Sequence, residues 1–385
     1  MFAVEKKQNM KIAYVSALVL FTLFVSRPVS GANWKVVASP NLGTQANSLS
    51  GVDAVADNDV WAVGWAWNNR LFAYRTLIEH WNGASWSVVK SPNTSASINI
   101  LEAVAAVTAN DVWAVGIGIT GFSTTPLIEH WNGTAWSIIA NPGTTVGGLS
   151  GVAVVSANDI WAVGTGLNGD EDATLTLHWN GSAWSLVPSP NVGPEVDNGL
   201  AAVTAIASDD VWAVGTQQPT SLTAPHTLTL HWDGTAWSIV PSANTSQTSG
   251  NHLLAAVVVA SDDVWATGFT PSIALAEHWD GNSWSVVPTP IITGASSPSL
   301  SGAVALANGN VWAVGQFFQN SQSRSRTLTE LWNGSSWSVV SSPNRGPSHN
   351  FLNAVTATPS GTLWAVGVHY NNQFIERTLI LQKLP

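Results

Sequence analysis

The chain alternates apolar and polar residues in short runs that Gly, Asn, Asp and Pro separate, the pattern of β-strands joined by tight turns. One phrase, DVWAVG or a near copy, recurs seven times with a period of about 50 residues, and a leucine stands twelve residues before each of its tryptophans. The tryptophans are Trp61, Trp113, Trp161, Trp212, Trp265, Trp312 and Trp364, and the leucines are Leu49, Leu101, Leu149, Leu200, Leu253, Leu300 and Leu352. A second phrase, of the form HWNGxxWS, recurs six times, and its Asn-Gly or Asp-Gly pair predicts a tight hairpin.

Each repeat predicts four short strands: A (LSGVDAVA), B (DVWAVG), C (TLIEHW) and D (SWSVV). The repeats, numbered 1 to 7, lie near 49–91, 101–141, 149–189, 200–241, 253–289, 300–342 and 352–385. Four antiparallel strands per repeat, repeated radially, predict an all-β fold, a seven-bladed β-propeller with four antiparallel strands per blade.

The seventh repeat ends at TLILQKLP and carries no strand D. The phrase NWKVVASPN at 33–41 matches SWSVVKSPN at 85–93, so we expect the N-terminal strand to complete the last blade and to close the ring. Closure removes the open edge strands that an unclosed array would leave. The alternative, an open β-solenoid, needs capping repeats, and the sequence contains no such repeats.

The first 32 residues have the order of a signal peptide: a basic start, an apolar run of 14 residues and a small-residue stretch that ends at Ala32. A retained anchor is the alternative, although a membrane span needs about 20 residues. We therefore expect 33–385 to be secreted, or periplasmic in a Gram-negative cell, with no membrane span after cleavage. Removal of 1–32 leaves 9 basic and 22 acidic residues, a net charge of −13, which argues against nucleic-acid binding. The absence of cysteine excludes disulfides and thiolate chemistry.

The repeat phrases resemble the tryptophan-rich repeats of secreted bacterial β-propeller proteins, which are distantly similar to kelch and Asp-box propellers. This resemblance covers the whole of 33–385 and implies the fold. It implies no activity, because propellers carry many functions. The paired glycines of kelch repeats are absent, and the Asp-box pattern is matched only loosely by NGxxW.

Residues that recur in every repeat are interpreted as structural. Twenty of the 22 tryptophans fall in three columns of the repeat, which predicts packing between blades, whereas Trp65 and Trp67 stand outside these columns. Five histidines form one column on strand C, too dispersed to share a metal ion, so no metal site and no cofactor are expected. Aspartates that precede strand B are expected to cap turns. The histidines are His80, His130, His178, His231 and His278, and the aspartates are Asp59, Asp111, Asp159, Asp210 and Asp263.

The B–C and D–A connections vary in length and composition, and both emerge on one face of a propeller, which we therefore expect to bind the ligand. Arginines and aromatic residues concentrate there in repeats 6, 7 and 1, which ring closure makes neighbours. Arginine with exposed aromatics is typical of binding hot spots and of sites for anionic groups or sugars. The predicted ligand-binding residues are Arg70, Phe72, Tyr74, Arg75, Phe317, Phe318, Arg324, Arg326, Arg345, His369, Tyr370, Phe374 and Arg377.

Acidic residues gather in two connections of repeats 3 and 4, namely Asp170, Asp172, Glu195 and Asp197. They predict either a calcium site made of loop oxygens or a solvated acidic patch, and we prefer the patch because their spacing matches no dedicated calcium motif.

The sequence thus predicts a monomeric, non-enzymatic binding or adhesion protein for an extracellular glycan or a cell-surface protein. The alternative is a carbohydrate-active enzyme, a glycoside hydrolase or polysaccharide lyase, in which two carboxylates lie ~5–9 Å apart. The acidic residues of repeats 3 and 4 lie away from the arginines of repeats 6, 7 and 1, which we call the arginine sector. Strand A offers only Asp53 and Glu102 as single charges. Catalysis is therefore the weaker interpretation.

Overall fold

The computed structural model describes residues 34–385 except 144, 145, 194, 220–223 and 247. The predicted signal peptide at 1–32 lies outside these residues. The fold is all-β, with one turn of 3₁₀ helix at Asn320–Gln322. No helix among the described residues has the length and apolar character that crossing a membrane requires.

The strands follow the predicted order A, B, C, D in each repeat. In chain order they are β1 (Lys35–Val37); in repeat 1, β2 (Asn47–Ala56), β3 (Asp59–Asn68), β4 (Ala73–Trp81) and β5 (Trp86–Val89); in repeat 2, β6 (Ile98–Thr108), β7 (Asp111–Thr120), β8 (Ser123–Trp131) and β9 (Trp136–Ile138); in repeat 3, β10 (Gly147–Ser156), β11 (Asp159–Asn168), β12 (Glu171–Trp179) and β13 (Trp184–Leu186); in repeat 4, β14 (Val196–Ala207), β15 (Asp210–Pro219), β16 (His226–Trp232) and β17 (Trp237–Ile239); in repeat 5, β18 (His252–Ala260), β19 (Asp263–Phe269), β20 (Ala274–Trp279) and β21 (Trp284–Val286); in repeat 6, β22 (Ala295–Ala305), β23 (Val311–Gln319), β24 (Arg324–Trp332) and β25 (Trp337–Val339); and in repeat 7, β26 (Asn350–Ala357), β27 (Leu363–Tyr370) and β28 (Glu376–Lys383).

Each repeat forms a four-stranded antiparallel unit. Five of these units are separate sheets, and repeats 1 and 2 are joined into one eight-stranded sheet by a single parallel bridge between Tyr74 and Ile98. In repeat 7 the strand order is β26, β27, β28, β1, so the N-terminal strand supplies the fourth strand. Its register pairs Lys35 with Gln382 and Val37 with Ile380, as the match of 33–41 to the strand D phrase predicts.

The cores lie between consecutive repeats. Trp61 of repeat 1 lies 5.1 Å, centroid to centroid, from Trp131 of repeat 2 and is 2% exposed. Repeat 7 packs against repeat 1 in the same way, because Leu49 shares a buried cluster with Trp364 and Ile380. The tryptophan columns therefore pack repeat against repeat, as predicted, and each aromatic ring buries ~150–250 Å².

The glycine that ends WAVG permits close packing of strands A and B. In repeat 1 a Cβ on Gly64 would stand 2.1 Å from the carbonyl oxygen of Ser48, well inside van der Waals contact. The register of β2 against β3 shifts here, between Leu49 and Gly51. The glycine is therefore a packing requirement that recurs with the repeat.

The Asn of the SPN phrase, or its counterpart, fastens the D–A connection to strand C in repeats 1, 3, 4, 6 and 7. Asn93 Oδ1 accepts the backbone N–H of Thr76 at 3.1 Å, and the Thr76 hydroxyl lies 2.6 Å from the Ser91 hydroxyl. Asn41 accepts the N–H of Thr378 in the same way. These bonds hold the long connections on the sheet, where buried backbone groups would otherwise lack partners.

Four glutamates at one position of strand C are buried between repeats. Burial raises the pKa of each of them to about 8, and hydrogen bonds offset this rise in part for three of them, from Ser39, from Ser91, and from the Ala243 backbone with Thr227. The glutamates are Glu79, Glu129, Glu277 and Glu330, and the other repeats carry Leu177, Leu230 and Leu381 at this position. A carboxyl group is therefore an option at this position and not a requirement of the fold.

Candidate binding surface

Three consecutive repeats each present an exposed phenylalanine at the tip of the B–C hairpin. Phe374 of repeat 7 is 73% exposed, Phe72 of repeat 1 is 78% exposed, and Phe122 of repeat 2 is fully exposed. We call these three residues the phenylalanine tips. A ring exposed to water contributes little to folding, so these three residues are candidates for contact with a partner.

Two of the phenylalanine tips adopt a backbone conformation that bulky residues rarely take. The φ angles are 48° at Phe72 and 57° at Phe374. The Asn68 and Asn371 side chains accept backbone N–H groups and hold both loops in this shape. Such a conformation costs ~1–3 kcal/mol and is typical of functional loops.

An axial cavity of about 730 Å³ lies where the A strands meet. Every repeat contributes the residue that follows the leucine of strand A, so seven equivalent positions face one space. These residues are Ser50, Glu102, Ser150, Ala201, Leu254, Ser301 and Asn353. The size is within the range of ~300–1,000 Å³ that ligand sites have.

One wall of the axial cavity is formed by the B–C side of repeats 1 to 3. Trp65, Ile117, Phe122 and Leu167 line it together with Asp172. The cavity is therefore continuous with one phenylalanine tip, and its apolar wall lies in the sector where repeats 1 to 3 adjoin.

Two carboxyl groups line the axial cavity. Burial raises the pKa of Glu102, with a hydrogen bond from Ser50 acting in the opposite direction. Burial, and then the charge of Asp197, raise the pKa of Asp172. The sequence analysis placed Asp172 only in the acidic connections of repeats 3 and 4, and the structure brings it to the axial cavity because its strand β12 borders this space.

Arg75 and Arg377 fasten loops through their guanidinium groups. Arg75 Nη1 donates to the carbonyl oxygen of Ala96 at 3.1 Å. Arg377 donates to the carbonyl oxygens of Thr44 and Gln45 at 2.8 and 2.9 Å. Both residues occupy the same position of strand C and bind the D–A connection that follows strand D of their own repeat.

The arginines of repeat 6 also engage in local contacts. Arg324 donates to Gln322 and to the carbonyl oxygen of Pro347, and Arg326 donates to Gln319 and Gln322. Arg345 buries its Nη1 without a hydrogen-bond partner among the described residues. Arg70, in contrast, is exposed on the B–C loop next to Phe72.

The remaining predicted aromatics are largely packed. His369 is 6% exposed, and burial, followed by the charge of Arg345, lowers its pKa to about 4. Tyr370 donates its hydroxyl to Glu376, and burial raises the Tyr370 pKa to about 12. The Tyr74 ring packs edge-on against Trp65 and Trp67, Phe317 packs on a core cluster, and Phe318 is partly exposed.

The arginine sector is thus divided. Arg70 and Arg75 line one cavity of about 360 Å³, and Phe317 and Arg326 line another of about 560 Å³. The fully accessible part is Arg70, Phe72 and Phe374. Phe122 was not among the predicted residues because its repeat carries no arginine, although its place in a B–C loop outside the recurring columns is a signal for it.

The histidine column pairs with the aspartate column. His80 Nε2 lies 2.7 Å from Asp59 Oδ1, and the His80 ring lies 4.2 Å from Trp61. The same pair recurs in repeats 2 to 5 at 2.8–2.9 Å. The aspartates therefore orient histidines against the tryptophans, and the interpretation of them as turn caps was wrong.

The acidic connections of repeats 3 and 4 bring two candidate calcium ligands together. Asp197 Oδ1 accepts the backbone N–H of Asp172 at 3.0 Å, and both residues line a cavity of about 470 Å³. Within 34–385, leaving aside the eight undescribed positions, no group of three His, Asp or Glu side chains could hold a metal ion. Asp170 and Glu195 therefore do not complete a ligand set with this pair.

No family model matches the sequence, and no curated protein sequence matches it. Solved structures do match the fold. YCF48 bound to D1 peptide is similar with a TM-score of 0.60 at 13% identity, over 95% of this chain and 100% of that one. A protein of unknown function from Dyadobacter fermentans gives 0.53 at 9% identity, over 93% and 98%. The extracellular domain of the hybrid two-component system BT4673 from B. thetaiotaomicron gives 0.54 at 10% identity, over 91% of this chain and 40% of that chain.

These similarities support a β-propeller fold, in agreement with the repeated four-stranded units. Sequence identities of 9–13% are too low to transfer an activity from these structures to this chain.

Proposed function

We propose that this chain is a secreted, non-enzymatic binding protein, a closed seven-bladed β-propeller whose B–C face takes up a segment of an extracellular partner protein. The observation that carries the proposal is the row of phenylalanine tips on consecutive repeats, two of them in a strained backbone conformation. Strain of this kind persists at functional sites because the surrounding structure imposes it.

Ring closure is supported from two directions. Strand β1 pairs with β28, and the buried cluster of Leu49 and Trp364 joins the first and last repeats. The seven equivalent residues around the axial cavity support a common axis.

The chemistry of the surface favours a polypeptide partner with apolar and basic side chains. Phenylalanine tips offer apolar anchors, and Glu102 and Asp172 give the axial cavity an acidic character that suits Lys or Arg. YCF48 has been captured with D1 peptide, which is a precedent for peptide binding by a similar propeller.

A carbohydrate-active enzyme is the second candidate, because Glu102 and Asp172 line the same cavity. A glycoside hydrolase needs two such carboxyl groups, one of them with a raised pKa to act as the acid. Binding is preferred because the surface features extend beyond this pair to the exposed tips of three repeats.

The test is to probe the mature protein on a peptide array and a glycan array in parallel. Replacing Phe72, Phe122 and Phe374 by Ser should weaken peptide binding roughly tenfold or more, as expected for interface anchors. Leu186→Ser is the matched control, because Leu186 is an exposed apolar residue of outer strand β13. Binding to glycans alone, or turnover of a glycan that Glu102→Gln abolishes, would refute the proposal.

A further inference from the structure

Glu102 is the one charged side chain among the seven equivalent residues that face the axial cavity from strand A. The other six repeats carry serine, alanine, leucine or asparagine at this position, so the fold does not require a charge there. Burial raises the pKa of Glu102, which means that its surroundings disfavour the carboxylate. A titratable group that the fold neither requires nor favours is a candidate for binding, because such groups concentrate at functional sites.

Asp172 brings a second carboxyl group to the axial cavity, from the next repeat. The Asp172 side chain is exposed, and it also lines the adjoining cavity of about 470 Å³ together with Asp197. Burial raises the pKa of Asp172, and the charge of Asp197 raises it further. A cation bound beside Asp172 would relieve this repulsion between like charges.

The protein supplies no cation of its own to these carboxyl groups. Among the described residues, the linings of both cavities contain no lysine, arginine or histidine. The sequence from 91 to 323, which includes repeats 2 to 5, contains no lysine and no arginine at all. The charge that complements Glu102 and Asp172 must therefore come from a ligand.

The rest of the lining favours an ammonium group on an apolar stem. Ser50 and Ser150 add hydroxyl groups, and Glu102 keeps acceptor positions beyond the one that its bond to Ser50 uses. Ile117 and Leu167 belong to the apolar wall, which suits methylene groups. Because the acceptors come from different repeats, the three rotatable N–H donors of an ammonium fit them better than the planar fork of a guanidinium.

We propose that the axial cavity binds a lysine side chain of the partner, with its ammonium between Glu102 and Asp172 and its methylene groups on the apolar wall. The inference rests on the proposed function, because the partner segment at the phenylalanine tips presents this lysine. Insertion of one lysine at the axis fixes the register of the segment on the B–C face.

The experiment is calorimetric titration of the mature protein with three small probes at millimolar concentration. Nα-acetyl-lysine N-methylamide should give saturable binding. Its Nε-acetylated derivative, which has no charge, should bind at least tenfold more weakly, the factor expected for a hydrogen bond to a charged group. The corresponding arginine probe should also bind more weakly. Equal binding of the lysine probe and either of the other two would overturn the proposal.

Charge-removing variants locate the ammonium group. Glu102→Gln and Asp172→Asn keep the size of the side chain, and each should weaken binding of the lysine probe about tenfold. Asp170→Asn is the matched control, because Asp170 is an exposed carboxylate of the same B–C hairpin as Asp172 and lies outside the lining. An equal loss in the Asp170→Asn variant would show that the probe senses only the general negative charge of this sector, which would overturn the proposal.

A tip variant separates this inference from the proposed function. Phe72 and Phe374 lie outside the lining, so the double change of both to Ser should leave binding of the lysine probe unchanged. If the unmodified protein does not bind the lysine probe while arrayed peptides still require the phenylalanine tips, the inference is wrong and the proposed function stands. If Glu102→Gln removes binding of the probe but no arrayed peptide binds, the lysine site stands and the proposed function is wrong.

Discussion

Replacing Glu330 by Leu should stabilise the protein, and the gain should grow as the pH rises. Glu330 is fully buried between repeats 5 and 6, and its carboxyl oxygens have no hydrogen-bond partner among the described residues. Leu177 and Leu230 occupy the same position in repeats 3 and 4, so the junction accommodates leucine.

The magnitude follows from the two pKa values of Glu330. Burial raises the pKa from its ordinary value of 4.5 to about 8 in the folded chain. Below pH 4.5 the carboxyl is protonated in both states and does not oppose folding. Between pH 4.5 and 8 only the unfolded chain releases the proton, so the free energy of unfolding falls by ~1.4 kcal/mol per pH unit. At pH 7 the loss amounts to ~3 kcal/mol, which Glu330→Leu should recover.

The assay is urea unfolding of both proteins at pH 5 and pH 8. The difference in the free energy of unfolding should be ~1 kcal/mol at pH 5 and ~4 kcal/mol at pH 8. Asp209→Asn, a change at an exposed carboxylate of an A–B turn, serves as the control and should shift both values little.

If the Glu330→Leu variant and the unmodified protein differ by the same free energy of unfolding at pH 5 and at pH 8, the reasoning is refuted. Such a result would mean that Glu330 releases its proton as readily in the folded chain as in the unfolded one. A destabilising Glu330→Leu change at pH 8 would also refute it, because the leucines of repeats 3 and 4 would then be a poor guide to this junction.

Four further predictions follow from contacts described above. Deleting residues 33–41 should lower Tm by many degrees, since it removes β1 from β28; a Tm within a degree or two of the mature chain would contradict closure. Arg377→Ala should cost ~1–3 kcal/mol of unfolding free energy because it frees backbone carbonyls, whereas Arg70→Ala should cost almost none; equal costs would count against the loop-fastening role. Phe72→Asn should raise stability by ~1 kcal/mol because Asn tolerates positive φ; a loss would show that the Phe72 backbone is unstrained. Metal analysis should detect no stoichiometric zinc, copper or nickel; one bound ion that His130→Ala removes would contradict the pairing of this column with aspartate.

The strands and their order could be predicted because the same local sequence pattern recurs in each repeat. The alternation of apolar residues, the Asn-Gly turns and the glycine of WAVG are local signals, and seven copies reinforce each other. The pairing of β1 with β28 was predictable for the same reason, since NWKVVASPN is a copy of a phrase whose partner strand is known from the other repeats.

The roles of the arginines could not be predicted from the same pattern. Arg377 binds the carbonyl oxygens of a connection that lies more than 330 positions away in the chain, and the path of that backbone follows from the assembled fold. The meeting of Glu102 and Asp172 in one cavity is likewise a consequence of how the repeats converge. The His80–Asp59 pair could have been predicted from the sequence, because the histidine and aspartate columns recur together in repeats 1 to 5.

The sheet of repeat 7 has a consequence for the order in which the chain folds. Lys35 must wait for Gln382, 347 positions later, before β1 gains its neighbour. Repeats 2 to 6 need only the adjoining repeat to bury their tryptophans, so they can assemble progressively as the chain emerges. Joining the first and last repeats closes the longest loop of the chain and so costs the most conformational entropy. We therefore expect this junction to form last. Until that moment the N–H and C=O groups of β1 have no partner strand and the edge of β28 stays open, an edge that can pair with another chain.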